Sequence, residues 1–227
     1  MKLTPFNFPT HADRPYFFTS FVSTIDGKII VKEKGYWPIG TKADYDYFTY
    51  LRGHADAIVD AKHTALQFGK HTIRTIHDET FQNYRKELRK KGFPEYIVLT
   101  STPDAQLTSV LANDHGYEPT IITPKEGSER VTIQHLIDHL NDQEYKHVFI
   151  DGGPTLIAQL LEAGVLDEIH LTIAPKVFGS APGKTLTMVE GILFPPDKVP
   201  QFELVSVGKL DDEVVLRYSL SKIHIKN

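Results

Sequence analysis

The stretch Lys146–Gly179, KHVFIDGGPTLIAQLLEAGVLDEIHLTIAPKVFG, constrains the fold of this chain more than any other. His147–Ile150 is a short apolar run suited to a buried strand, and Asp151-Gly152-Gly153-Pro154 breaks it. Leu156, Ile157, Leu160, Leu161 and Ala163 then recur at helical spacing across Thr155–Ala163, and Gly164 stops the helix. Ile169–Ala174 is a second strand. Two glycines allow a sharp turn that leaves room for a ligand against the backbone. Pro154 suits a first helical turn, where its missing N–H costs nothing. Free N–H groups and the positive end of the helix dipole make such a turn an anion cradle. The motif alone is equally compatible with an ordinary tight strand-to-helix turn.

The remaining chain repeats this alternation. An extended lead-in runs to Pro15. Tyr16–Ile25 has strand composition and ends at the turn Asp26-Gly27-Lys28, beyond which Ile29–Lys32 continues. Thr41 is a candidate N-cap for a helix over Lys42–Arg52 that Gly53 ends. Ala55–Val59 reads as a buried strand, Asp60–Phe68 as partly helical with Gly69 closing it, and His71–Thr80 as polar and ambiguous. Helices are expected over Phe81–Lys91, Ala105–Asn113 and Ile133–Leu140, and strands over Tyr96–Thr100 and Thr120–Thr123. Ser180–Pro200 is a loop. Phe202–Val207 and Val214–Leu220 alternate apolar and polar residues around Asp211-Asp212, the pattern of an antiparallel hairpin. Strands alternating with helices imply a largely parallel sheet. With no repeat or linker in 227 residues, a single domain over 1–227 is expected.

Composition closes off several function classes. A net charge of −4, with basic and acidic residues interspersed, gives no reason to expect nucleic acid or an acidic membrane surface. The densest basic cluster, Arg85–Lys91, reads as a solvated helix face. The chain has no cysteine, which excludes disulfides, thiolate zinc sites and iron–sulfur clusters. No apolar run approaches the ~20 residues of a membrane span, and the N-terminus lacks a signal-peptide core. The expectation is a soluble, cytoplasmic protein. His135 and His139 stand one helical turn apart without a third ligand, so no metal site is expected. There is no G-x-S-x-G elbow, Walker A lysine or G-x-G-x-x-G fingerprint.

The polar residues at strand ends are the candidates for chemistry. Ser23, Thr24 and Asp26 close the first strand. Arg52 ends a helix just before a buried strand, and Arg74 lies in what reads as a polar loop. Either arginine fits a bidentate grip on phosphate, and either fits an ordinary surface position.

Several stretches together resemble the pyrimidine reductase family of riboflavin biosynthesis, which is related in fold to dihydrofolate reductase. These are RPYFFTSFVSTIDGKI, the segment from IGTKAD to LRGHADAI, FIDGGPTLIAQLLEAGVLDEIHLTIAPKVFG, and the final hairpin. The resemblance implies a mixed, mostly parallel sheet with flanking helices and a C-terminal antiparallel hairpin. It implies NADPH at the carboxyl ends of the strands. Ser23, Thr64 and Ser101 match cofactor-contacting positions, as does the turn Gly152, Gly153, Pro154, Thr155 and Leu156. Asp151 matches an acidic residue that contacts substrate and is the candidate catalytic group. Arg52 and Arg74 match arginines that hold a ribose phosphate, Arg74 across a one-residue gap. Asp26 is grouped with them as a substrate-side carboxylate. The implied reaction is hydride transfer from NADPH to C1′ of a 5-amino-6-ribosylamino-uracil phosphate or a related pyrimidine or pterin, in a homodimer. Two other readings use the same scaffold: a non-catalytic nucleotide-binding or sensor protein, and a folate-type reductase.

The sequence departs from the family at one wall of the implied pocket. Where V-G-x-G-T is usual, Val59-Asp60-Ala61-Lys62-His63-Thr64 stands, with both glycines gone. Gln67-Phe68-Gly69-Lys70 replaces the expected acidic residue and D-P pair. Trp37 falls one residue early, and Asp151 stands where glutamate is more usual.

Overall fold

A computed structural model describes residues 4–33 and 37–221. The expectations for the first three residues of the lead-in fall outside this range. In chain order the elements are β1 (Tyr16–Thr24), β2 (Ile30–Val31), α1 (Lys42–Gly53), β3 (Ala57–Ala61), α2 (Lys62–Ile76), α3 (Glu79–Glu87), β4 (Glu95–Leu99) and α4 (Ala105–Leu111). They continue with β5 (Thr120–Ile122), α5 (Ile133–Asp142), β6 (His147–Gly152), α6 (Pro154–Glu162), β7 (Leu166–Ala174), β8 (Thr185–Leu186), β9 (Phe202–Leu210) and β10 (Glu213–Leu220). No helix among the described residues is long and apolar enough to cross a membrane. The packing divides the chain into two compact units. Among the described residues one holds Phe18–Phe48 and 154–221; the other holds 4–17 and Thr49–Gly153.

The second unit is built on four strands in the order β5-β4-β3-β6, parallel throughout. Its strands are short apolar runs with both faces covered: Ala57, Ile58, Val59, Ile97, Val98, Val148, Phe149 and Ile150 are buried. Register fixes the carboxyl edge. Ala61 pairs with Leu99, and Asp60 pairs with Gly152 across an irregularity that follows Val59. The chain therefore leaves β3, β4 and β6 side by side at Lys62, Thr100 and Gly153.

Helix starts in this unit follow the N-cap rule. The Asp78, Asp104 and Thr132 side chains accept from Thr80, Leu107 and His135 backbone N–H groups at the starts of α3, α4 and α5. Helix α2 is the exception: Ala61 caps it with no side-chain bond, because β3 runs directly into it.

Three sequence expectations are corrected here. Gly69 does not close a helix; α2 continues through it to Ile76, and the buried Gly69 faces Leu111 of α4 and Tyr96 of β4. The small residue serves close packing, not termination. Arg74 consequently sits in the last turn of α2 and not in a loop. Arg85 is not on a solvated face. It is 2% exposed, and its guanidinium donates to the carbonyls of Gly53, the last residue of α1, and Ala55 just beyond it, and to those of Lys91 and Gly92. Helix α3 ends at Glu87, so Lys90 lies past it and pairs with Asp56 at 2.7 Å.

In the first unit the strand order is β1-β7-β10-β9, with β10 antiparallel to both of its neighbours. The terminal hairpin expected from the sequence is present and longer at its turn end, closing through Asp211 at φ +52°. The segment read as a loop after Gly179 contains β8, which pairs antiparallel with β2 (Ile30 with Leu186). Thr41 caps α1 as expected, its hydroxyl accepting from Asp44 N–H at 3.4 Å.

Candidate active site

The carboxyl edge of the second unit gathers a buried polar cluster. Asp151, the last side chain of β6 before the glycines, is only 4% exposed at its side chain and is paired with Arg52, itself 3% exposed. Arg52 Nη2 also donates to Thr72 Oγ1 at 3.2 Å, and that hydroxyl lies 3.5 Å from Asp151 Oδ2. Three elements contribute one residue each: the C-terminus of α1, the middle of α2 and the end of β6. A pair of ions this deeply desolvated holds together only with good geometry and further hydrogen bonds, which Thr72 provides.

Beside this pair the backbone turns through Gly152 and Gly153. Gly152 has φ +153°, and the peptide joining the two glycines is cis. Thr64, in the first turn of α2, lies against both: a Cβ on Gly152 would meet its Cγ2 at 3.5 Å, and one on Gly153 its Oγ1 at 3.0 Å. The structure thus brings Arg52, Asp151, Gly152, Gly153 and Thr64 together, although the sequence separates them by as much as a hundred positions. Ser101 follows β4 on the same edge and is exposed, 3.4 Å from the Thr102 hydroxyl. His63 is exposed in the first turn of α2. Next to it Lys62 spans from α2 to the loop after β4, donating to Thr102 O (2.7 Å) and Asp104 (2.6 Å).

Arg74 is not in this cluster. It lies ten residues beyond Thr64, about 15 Å along α2 at 1.5 Å per residue. It is exposed and donates from Nη2 to His71 Nδ1 at 2.9 Å. With Gln67, Lys70, His71, Asn113 and His115 it lines a cavity of about 580 Å³. Burial, then the charges of Arg52 and Arg74, hold His71 below its ordinary pKa, which suits its role as acceptor.

The candidates of the first unit stand as follows. Ser23 is buried in β1. Asp26 receives the Thr24 hydroxyl at 2.6 Å and the backbone N–H groups of Phe178 and Gly179 at 3.2 and 2.8 Å. These bonds, the Thr24 hydroxyl foremost, hold its carboxyl below the usual range. Asp26 therefore staples the loop after β7 to the turn after β1. Pro154, Thr155 and Leu156 form the first turn of α6, and Leu156 is buried. Trp37 is half exposed and meets Phe178 edge-on at 5.7 Å.

Sequence reasoning missed Asp60, Tyr96 and Thr72. Asp60 is fully buried at the end of β3 and accepts the Tyr96 hydroxyl at 2.7 Å. Burial pushes its carboxyl up to about 7, against the lowering effects of the Tyr96 bond and the Arg52 charge. A signal was present, since Asp60 puts a carboxylate into the otherwise apolar run Ala-Ile-Val. Among the described residues no group of three or more potential ligands is placed to hold a metal ion.

Parallel strands thus deliver a bare glycine turn, a paired carboxylate and the exposed Ser101 hydroxyl to one edge of an α/β fold, the carboxyl edge at which sheets of this class place ligands. The chain belongs to the family described as the RibD C-terminal domain, which matches residues 15–216. It is 25% identical over 197 residues to the 2,5-diamino-6-ribosylamino-4(3H)-pyrimidinone 5′-phosphate reductase of Archaeoglobus fulgidus, covering 79% of this chain and 89% of that protein. Among solved structures it resembles a pyrimidine reductase-like protein from Corynebacterium diphtheriae, with a TM-score of 0.66, 20% identity and coverage of 92% and 93%. It also resembles Enterococcus faecalis dihydrofolate reductase complexed with NADP(H), with a TM-score of 0.50, 16% identity and coverage of 91% and 96%. The mixed α/β fold expected from the sequence is therefore the dihydrofolate-reductase-like one.

Proposed function

We propose that the chain is an NADPH-dependent reductase of a ribosylamino-pyrimidine phosphate or a related pyrimidine. One observation carries the reading: the turn at Gly152 and Gly153 is bare backbone with Thr64 against it, and the buried Asp151–Arg52 pair lies directly beside it. A side chain at Gly153 would fill the space at Thr64, so the turn suits a ligand that lies against the main chain. The relatives named as reductases of this substrate class, and the likeness to a reductase solved with NADP(H), point the same way.

In this reading Thr64, Ser101, Gly152 and Gly153 hold the cofactor. Ser23, Pro154, Thr155 and Leu156 keep the assignment that the family resemblance gives them. When bound, the cofactor supplies the hydride that reduces C1′ of the sugar. Asp151 hydrogen-bonds the substrate and steadies the proton that must reach the sugar nitrogen or ring oxygen. Arg52 and Thr72 orient Asp151 by occupying its Oδ2. Arg74, with Lys70 beside it, is the exposed cation available to a phosphate. Positioning is the protein's main contribution.

We also infer a homodimer. Strand β9 is a sheet edge that exposes Leu204, Val205 and Val207, and Val214 of β10 is exposed next to it. An apolar edge strand of this kind is normally covered.

Incubating the purified protein with NADPH and the ribosylamino-pyrimidine phosphate tests the main reading. Loss of nicotinamide absorbance at a rate set by enzyme concentration is expected. NADPH binding without turnover on any pyrimidine would replace the reductase by a nucleotide-binding protein, and absence of binding would remove both.

A further inference from the structure

The cavity of about 580 Å³ between α2 and the turn that follows α4 lies wholly within the second unit. None of Arg52, Thr64, Asp151, Gly152 and Gly153 lines it. Its volume falls in the range of ~300–1,000 Å³ typical of small-molecule sites. Its two walls carry different chemistry.

The α2 wall is cationic. Gln67, Lys70 and Arg74 stand at i, i+3 and i+7, so they share one stripe of the helix, and all three are exposed. Among the described residues neither Lys70 nor Arg74 is paired with a carboxylate; Arg74 has only the His71 ring, at 2.9 Å. Asp114 is the one carboxylate on the lining, against these two cations.

The opposite wall is a preformed turn. Asn113 Oδ1 accepts from the backbone N–H groups of His115 (3.0 Å) and Tyr117 (3.3 Å). Its Nδ2 donates to the carbonyls of Leu111 (3.1 Å) and Tyr117 (2.8 Å). The turn presents His115, whose ring stacks on His77 at 4.2 Å and 9°. His77 also stacks on Phe93, at 4.5 Å and 29°. Two near-parallel rings this close do not fit on one side of an imidazole, so His77 lies between Phe93 and His115. His115 is therefore the outer ring of a three-ring stack, exposed and on the cavity lining. A flat ring already held in place loses little freedom when a second ring stacks on it.

We propose that this cavity is a second ligand site, for a nucleoside monophosphate whose base stacks on His115 and whose phosphate is held by Lys70 and Arg74. Arg74 supplies a planar two-pronged donor and Lys70 a point charge. Stacking on an aromatic side chain accepts any base, so the site selects for a planar ring with a phosphate and not for one base. The site goes beyond the reductase reading and does not rest on it. Arg74 stands about 15 Å along α2 from Thr64, so a phosphate on Arg74 is not the group that lies against Gly153.

The test is an NMR titration of the whole protein, labelled at histidine rings, arginine guanidinium groups and backbone amides. The probes are adenosine 5′-monophosphate, adenosine and inorganic phosphate. The nucleotide is expected to shift the His115 ring and Arg74 guanidinium signals in one saturable step and to leave the Thr64 and Gly153 amides in place. Its affinity exceeds that of phosphate or adenosine by roughly tenfold or more, because it alone engages both walls. His115→Ala, at an exposed position, lowers the nucleotide affinity about tenfold and leaves that of phosphate unchanged. Arg74→Gln combined with Lys70→Gln removes the shifts given by both. Saturable binding by a protein that turns over no pyrimidine still supports the site. No saturable shift at millimolar nucleotide overturns the proposal, as does equal affinity for nucleotide and phosphate, or an affinity unchanged in the Arg74→Gln, Lys70→Gln variant. Thr64 and Gly153 amides that move with the same saturation would place the nucleotide at the glycine turn and overturn it too.

Discussion

Thr64 Oγ1 lies 3.0 Å from the point that a Cβ on Gly153 would occupy. Nothing else crowds that point, and the backbone at Gly153, unlike that at Gly152, is not in the left-handed region. Thr64 is therefore what makes this position glycine. Gly153→Ala is expected to cost about 1 kcal/mol of stability through this contact. Gly153→Val, which adds two methyl groups, costs more and covers the turn. The thermal shift given by NADPH at a hundredfold excess over its dissociation constant, worth ~2.7 kcal/mol in the wild type, should vanish in Gly153→Val. Adding Thr64→Ala to Gly153→Ala restores stability, since it removes the crowding atom. If the double variant stays as unstable as the single one, the crowding does not explain the glycine.

The Arg52–Asp151 pair is expected to behave as a unit. With side chains 3% and 4% exposed, neither ion has water to replace its partner. Arg52→Ala leaves a buried carboxylate behind and should cost about 3–5 kcal/mol in denaturant unfolding at neutral pH. Replacing both residues by apolar ones of similar size costs much less, because the burial penalty leaves with the charges. A double-mutant cycle measures the difference as a large coupling energy. Additive losses would mean that the two side chains are hydrated in solution.

A second buried network, in the first unit, predicts the acid limb of stability. Burial alone would raise the Glu168 carboxyl. Hydrogen bonds from His170 (2.6 Å) and from both guanidinium positions of Arg217 (2.6 and 2.9 Å) outweigh it and bring it to about 2. Burial holds His170 below its ordinary range, so the ring is neutral. Its Nε2–H donates to Glu168, and Nδ1 accepts the Tyr47 hydroxyl at 2.5 Å. A carboxyl lowered from 4.5 stabilises the fold at any pH above that value, and the contribution is lost as pH falls through 2. At ~1.4 kcal/mol per pH unit, roughly 3 kcal/mol is at stake. Unfolding free energy measured from pH 5 to pH 2 should fall steeply in the wild type and less so in Glu168→Gln, which starts lower. Parallel curves would show that the acid limb comes from other groups.

Much of the fold was legible because it rests on local chemistry. The run His147–Ile150, the Gly152-Gly153 turn and the helix spacing from Leu156 announced β6 and α6. Thr41 announced the start of α1, and the alternation across Asp211-Asp212 announced the hairpin. What failed depended on tertiary neighbours. Arg85 reads as one more cation in a basic cluster, and only its position beside the carbonyls of Gly53 and Ala55 makes it internal. The site divides in the same way. Asp151, Arg52 and the glycines were picked out as residue types, through a family resemblance. Thr72 and Tyr96 carry no signal along the chain, because their roles exist only where α2 crosses β4 and β6.

Gly69 is the sharpest case of a residue whose local and tertiary meanings conflict. Within α2 a glycine costs about 1 kcal/mol relative to alanine, so helix propensity alone says that Gly69→Ala should stabilise. Packing says the opposite. A Cβ there would meet Leu111 Cδ2 at 2.9 Å and the Tyr96 hydroxyl at 3.1 Å. Leu111 is nearly buried and Tyr96 fully so, and neither can withdraw without opening a gap. Overpacking of this kind costs ~1–3 kcal/mol, which exceeds the propensity gain. Gly69→Ala should therefore be destabilising by about 1 kcal/mol in denaturant unfolding, and Leu111→Ala in the same chain should reverse the sign of its effect. The displaced Tyr96 hydroxyl would also loosen its hydrogen bond to Asp60, which lowers that carboxyl, so Gly69→Ala should move the Asp60 carboxyl titration to higher pH. A stabilising Gly69→Ala with an unmoved Asp60 would mean that α2 and β4 stand farther apart than these distances place them.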